Sequence, residues 1–178
     1  VRPGVRPLAG RGHGEAIKHK AVVRHITIVK PTAAHGHAPR DHPMTTPETT
    51  YAAIEAAAAE HGLIVMGGEH PADSATTRLL LGAGPDFWAA LQTAPEGRDA
   101  RPDPVDRYST RVISALAVRF GATAAFPFGG PPWAPFIAWA QASGRAWPSP
   151  TGMLVHDTAG LMISYRGALA LPGRLALP

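Results

Sequence analysis

The stretch DPVDRYSTRVISALAVRFGATAAF, residues 103–126, decides the fold class. Val105, Tyr108, Val112, Leu116 and Phe120 recur at spacings of three and four, which lines apolar side chains along one helix face. Asp103-Pro104 suits the first turn, where the N–H that proline lacks has no partner anyway, and Gly121 suits the end. A short strand, residues 123–126, follows at once. An amphipathic helix running directly into a strand points to an α+β domain, and the flanking sequence supplies the remaining elements.

Toward the C-terminus, Phe126-Pro-Phe-Gly-Gly-Pro-Pro-Trp133 reads as a rigid turn with an aromatic residue at each end, followed by a short helix over 133–143 that stops at Gly144. Residues 152–156 (GMLVH) and 161–166 (LMISYR) flank Asp157-Thr-Ala-Gly160, a turn with aspartate first and glycine last, and this pattern predicts a β-hairpin. Period-two alternation sets Leu161, Ile163 and Tyr165 on one face, and the second arm could extend to Leu171.

Toward the N-terminus, residues 94–104 read as a surface loop, Asp86 as the cap of a short helix bearing Phe87, Trp88 and Leu91, and residues 78–82 (RLLLG) as a strand. Residues 63–66 form another short buried strand ending in Gly67-Gly68. Thr45-Thr46-Pro47-Glu48 carries the signals of a helix start, with Tyr51, Ile54 and Ala58 on its apolar stripe and Gly62 at its stop. The expected fold is therefore α+β: a small mixed or antiparallel sheet, flanking helices and a C-terminal β-hairpin.

Charge divides the 178 residues at Met44. Residues 1–43 hold eight Lys and Arg against Glu15 and Asp41, with six of the nine histidines; the rest carries nine arginines, no lysine and eleven acids. The isoelectric point near 10 thus belongs to the leader, while residues 44–178 are mildly acidic. The favoured reading of 1–43 is a basic, His-rich segment, disordered or foreign to the domain, with one candidate strand at 22–29. A nucleic-acid-binding arm and a metal site are weaker alternatives; the histidines lack a helical i, i+4 pair. Residues 44–178 are read as one domain, cut short at its C-terminal end. Without a membrane-length apolar run or an apolar signal segment, and with no cysteine, the expected location is the cytoplasm, with no membrane partner.

Chemistry is less legible. There is no P-loop, no Gly-x-Gly-x-x-Gly, no His-Glu-x-x-His and no Gly-x-Ser-x-Gly. Gly82-Ala-Gly84 follows a strand, but Pro85 replaces the rest of a dinucleotide fingerprint, so a plain turn is favoured. The Phe128-Gly129-Gly130 turn is either a stiff core-lining connection or a pocket wall that a flat ligand approaches closely. A lone histidine such as His156 is more often a satisfied structural residue than a catalyst. Arg166 could bind an anionic group, though a pair with a nearby acid is favoured. Arg107 and Arg111 read as a solvated helix face, and Asp103 and Asp106 as capping residues.

Three segments also carry a resemblance: residues 103–111, Phe126-Pro-Phe-Gly-Gly-Pro-Pro-Trp-Ala-Pro-Phe136, and residues 149–169 ending in Tyr-Arg-Gly-Ala-Leu169. Residues 44–171 resemble the N-terminal portion of bacterial ferredoxin-annotated proteins, themselves distantly similar to the epoxyqueuosine reductase, reductive dehalogenase and CblC-like group. The resemblance implies a nitroreductase-like α+β domain followed, in a longer parent protein, by a cysteine-rich segment holding [4Fe–4S] clusters. It implies too that Met44 is the natural start. This chain has no cysteine, so no cofactor of that kind is expected on it, and by itself it is not expected to transfer electrons. The function implied is the N-terminal part of a ferredoxin-like iron–sulfur oxidoreductase. The alternative is a cluster-free module binding a corrinoid, a flavin or a similar flat cofactor, with Phe128, Gly129, Gly130, His156, Tyr165 and Arg166 as site candidates by position. A redox partner or a small flat ligand is the expected partner, nucleic acid is disfavoured, and the sequence sets no oligomeric state.

Overall fold

The computed structural model describes residues 47–178, with side chains from Tyr51 onward. The leader, its candidate strand at 22–29, its six histidines and the Thr45-Thr46 cap lie outside the described residues.

The order of elements is α1 (Pro47–Ala59), β1 (Leu63–Glu69), β2 (Thr76–Ala83), α2 (Phe87–Thr93), α3 (Pro95–Arg98), α4 (Pro104–Phe120), β3 (Thr123–Ala125), α5 (Phe136–Ala142), β4 (Ala146–Pro148), β5 (Leu154–His156) and β6 (Tyr165–Pro172). Four strands form one antiparallel sheet in the order β1-β2-β6-β3, and β4 and β5 form a second, two-stranded sheet. The α+β class with flanking helices therefore holds.

Alternation along the strands sorts the core onto two faces. Leu79, Leu81, Leu169 and Leu171 meet Ile54 and Ala58 of α1 and Val112, Ile113 and Leu116 of α4. Leu80 and Ala168 turn the other way, onto Phe136 and Ala140 of α5 and Ala146 of β4. The helix read from the 3–4 spacing appears as α4, its apolar stripe buried and its C-cap, Gly121, left-handed at φ 62°.

The hairpin falls elsewhere than its pattern predicts. Asp157–Gly160 does turn: His156 and Gly160 exchange two backbone hydrogen bonds of 2.9 Å, with Gly160 at φ 57°. The arms then part. β5 pairs with β4, and the second arm becomes β6, seated between β2 and β3. An arm of three residues offers β6 little, whereas β2 and β3 pair it on both edges and its apolar run fills both faces of the sheet. Leu161 and Met162, cast as strand residues, remain exposed.

Smaller differences have local causes. The 94–104 loop contains α3, and Arg107 and Arg111 reach back to it: Arg107 grips Asp99 with two 2.7 Å hydrogen bonds, and Arg111 holds Glu96 at 2.5 and 3.0 Å. The two arginines are thus partnered rather than merely solvated. Neither Asp86 nor Asp103 caps its helix through the side chain; Asp103 is itself left-handed, at φ 55°. The helix expected from 133 begins at Phe136.

Candidate functional site

The corner where β1 and β2 meet α2 is built around Gly62. Its φ of 69° favours glycine, and a Cβ there would lie 2.6 Å from the Phe87 backbone. That close approach brings α2 down beside the sheet. Phe87 is buried edge-on against Tyr108, centroids 5.5 Å apart, while the Tyr108 hydroxyl donates to the His61 carbonyl at 3.0 Å. Trp88, one residue on, is turned outward and is 64% exposed.

Facing this corner is the 158–164 connection between β5 and β6. The Ala83 N–H donates to the Ser164 carbonyl at 2.9 Å, joining the two walls at their base. Between them lies an open groove of about 620 Å³, lined by Ile64, Ala83, Gly84, Pro85, Phe87, Trp88 and Val105 on one side and by Thr158, Ala159, Met162 and Ser164 on the other. Its volume falls in the roughly 300–1,000 Å³ range of small-molecule sites. Its rims are apolar and exposed: Met162 is 84% accessible and Ile64 36%.

The six residues singled out from the sequence do not gather here, and none lines the groove. His156 is 2% exposed and its ring is fully engaged. Nε2 lies 2.9 Å from the Met66 carbonyl, an acceptor only, so Nε2 carries a hydrogen and donates it. Nδ1 faces the N–H groups of Thr158 and Ala159 at 3.3 Å and an Asp157 carboxylate oxygen at 2.9 Å. A neutral ring accepts from the amides, and a protonated one donates to Asp157; in either state no nitrogen is left for a ligand. Met66 sits at the β1 irregularity between Val65 and Gly68, so His156 ties the turn to a bulged edge strand.

Tyr165 and Arg166 are parted by an irregularity in β6 where it meets Gly82. Tyr165 packs on Phe136 with centroids 6.4 Å apart, and its buried hydroxyl has no partner among the described residues. Burial raises its pKa, with the Asp157 charge adding to the effect. Arg166 turns toward α4 and pairs with Asp106 at 3.5 Å, the arrangement favoured from sequence. Phe128 stacks on Phe126, centroids 5.5 Å apart, and Gly129-Gly130 turns beyond β3, where a Cβ on Gly130 would meet nothing within 4 Å. β3 and β1 are opposite edges of the sheet, three strand spacings or roughly 14 Å apart. Neither the Phe128 turn nor His156 lines the groove.

Sequence reading missed the groove residues, yet two signals were present. Trp88 lies off the Phe87–Leu91 stripe, and Leu161-Met162 is an apolar pair immediately after a turn glycine. Among the described residues no group of three or more His, Cys, Asp or Glu gathers to hold a metal ion, and no helix is long and apolar enough to cross a membrane. With no cysteine in the chain, these residues do not fit a [4Fe–4S] cluster. No protein-family model matches the sequence, and no curated protein or solved structure matches it either.

Proposed function

We propose that this domain is a binding module which holds a small flat ligand in the groove between the β1–α2 corner and the 158–164 connection. The observation that carries the proposal is an apolar cavity of about 620 Å³ rimmed by an exposed tryptophan and an exposed methionine. The proposed ligand site is thus this groove and not the Phe128 turn, which does not line it. We keep the cytoplasm as the proposed compartment. The test is to titrate the full chain with a panel of flat ligands, including riboflavin, a corrinoid and neutral aromatic dyes, while following tryptophan fluorescence and Tm. A bound ligand at about 100 times its Kd adds about 2.7 kcal/mol, a Tm rise of several degrees. Trp88→Ala should abolish that rise, and a panel that moves neither signal rejects the reading.

A second reading is favoured by one pairing. β3 lies beside β6, with Ala125 opposite Ala168, so two segments that carry the family resemblance, the 126–133 turn and the Tyr165–Leu169 run, are neighbours. On that reading the domain is the N-terminal part of an iron–sulfur oxidoreductase, and the cluster ligands come from sequence beyond these 178 residues. The coding DNA downstream of Pro178 should then encode a Cys-x-x-Cys-x-x-Cys-x-x-x-Cys-Pro run in some frame. A stop codon followed by unrelated sequence would reject it.

A further inference from the structure

We infer that the groove selects an electrically neutral, planar, apolar ring system and rejects anions, phosphorylated cofactors included. This rests on the reading that the groove is the ligand site, and adds the charge class of what enters it.

Side chains give the first argument. None of the lining residues is ionisable; the only polar side-chain groups are the Thr158 and Ser164 hydroxyls and the Trp88 indole N–H. A charge moved from water into such surroundings needs a partner, and the nearby ones are engaged. Arg166 is paired with Asp106, and Arg145 holds Asp157 at 2.7 and 3.0 Å. Asp86, between Pro85 and Phe87 in the chain, is exposed and adds negative charge close to that wall. An anion therefore loses hydration and meets no opposite charge in return.

The backbone narrows the other route to an anion. Amides converging on a loop can cradle phosphate, but several on both walls already have partners. Ala83 donates to the Ser164 carbonyl, Gly84 to Gly62 at 2.8 Å, Phe87 to Gly84 at 3.2 Å and Met162 to Ala159 at 3.0 Å. The Thr158 and Ala159 amides face His156 Nδ1. What remains is contact area: an indole face, a thioether and a β-branched side chain, which suit a ring better than a flexible chain.

Two dyes that differ by one sulfonate test the inference on the full chain: neutral N-phenyl-1-naphthylamine and anionic 8-anilinonaphthalene-1-sulfonate. Only the fluorescence lost in Trp88→Ala is counted, which removes any contribution from the basic leader. The neutral dye should bind at least tenfold more tightly, and Trp147→Ala, at an exposed tryptophan of β4, should leave it unchanged. Met162→Lys, which sets a cation at the rim, should narrow or invert the ratio. If the sulfonated dye binds as tightly through Trp88, neutrality is wrong while the ligand site stands. If neither dye gives Trp88-dependent binding, both readings fall. Dye binding that vanishes as the chain self-associates would assign the groove to a second copy and overturn the inference.

Discussion

Thr77 is fully buried in β2, and its hydroxyl has two partners at once. It donates to the Gly173 carbonyl at 2.9 Å and accepts from the Leu175 amide at 2.8 Å, pinning the chain after β6 across the sheet. Valine keeps the shape and removes both bonds, stranding two backbone groups, so Thr77→Val should cost about 2–3 kcal/mol. Thr77→Ser keeps both bonds and loses one methyl group, about 1 kcal/mol. Urea midpoints separate the two; equal losses would show that the hydroxyl anchors nothing. Gly62 supplies a second test. Alanine there meets the left-handed penalty of about 1–2 kcal/mol as well as the Phe87 backbone. Gly62→Ala should therefore both lower stability and lift α2 away from the groove. A variant of unchanged stability with unaltered dye binding would mean that the corner is not set by Gly62.

At the scale of elements, α4 controls the connection before it. Arg107 donates to Asp99, to the carbonyls of Pro102 and Arg101 and to that of Glu96, holding a loop in which Ala100 and Asp103 are both left-handed. Hydrogen bonds from Arg107, then from the Arg101 amide, lower the Asp99 pKa from 3.8 to about 2. Because the folded value is the lower one, the anchoring is complete above pH 3.8 and is lost as pH falls through about 2. A carbon-detected NMR titration of the Asp99 carboxyl should show a midpoint near 2 in the wild type and a return toward 3.8 in Arg107→Met. An unmoved midpoint in the variant would remove Arg107 as the cause. This grip, reaching from helix to loop, is the kind of feature that spacing cannot supply. α4 itself was legible because its pattern is local: each apolar residue needs only its neighbours three and four positions away. The turn at 157–160 was legible for the same reason. The partner of the strand after it was not, since Tyr165–Pro172 is matched to Thr76–Gly82 and Thr123–Ala125, segments that no turn residue specifies. The groove was illegible by the same logic, because its lining comes from β1, the end of β2, α2, the start of α4 and the 158–164 connection.

Across the whole molecule the two faces of the sheet are unequal. Among the described residues the α1 and α4 face buries a broad set of leucines, isoleucines and aromatics, whereas the cluster on the opposite face is smaller, with Leu80, Phe136 and three alanines. α5 has seven residues, too short to hold as a helix without its packing. Phe136, 6% exposed and in contact with Trp139 and Tyr165, is thus one fastening of α5 and the β4–β5 sheet to the rest, beside the His156 bond to Met66. Phe136→Ala should cost about 3–5 kcal/mol locally. Native-state hydrogen exchange reads where the loss falls. Amides of α5, β4 and β5 should exchange far faster, while those of β2 and β6, held by the α1 and α4 face, change much less. Leu79→Ala, on the larger core, should instead speed exchange throughout the sheet. The connection at 158–164 leaves directly from β5, so Phe136→Ala should also weaken neutral-dye binding, although the substituted residue lies outside the groove. Uniform loss of protection in Phe136→Ala would show that the two faces unfold as one unit. Dye binding at full strength, with β5 amides exchanging freely, would show that the 158–164 wall is held by the main sheet alone.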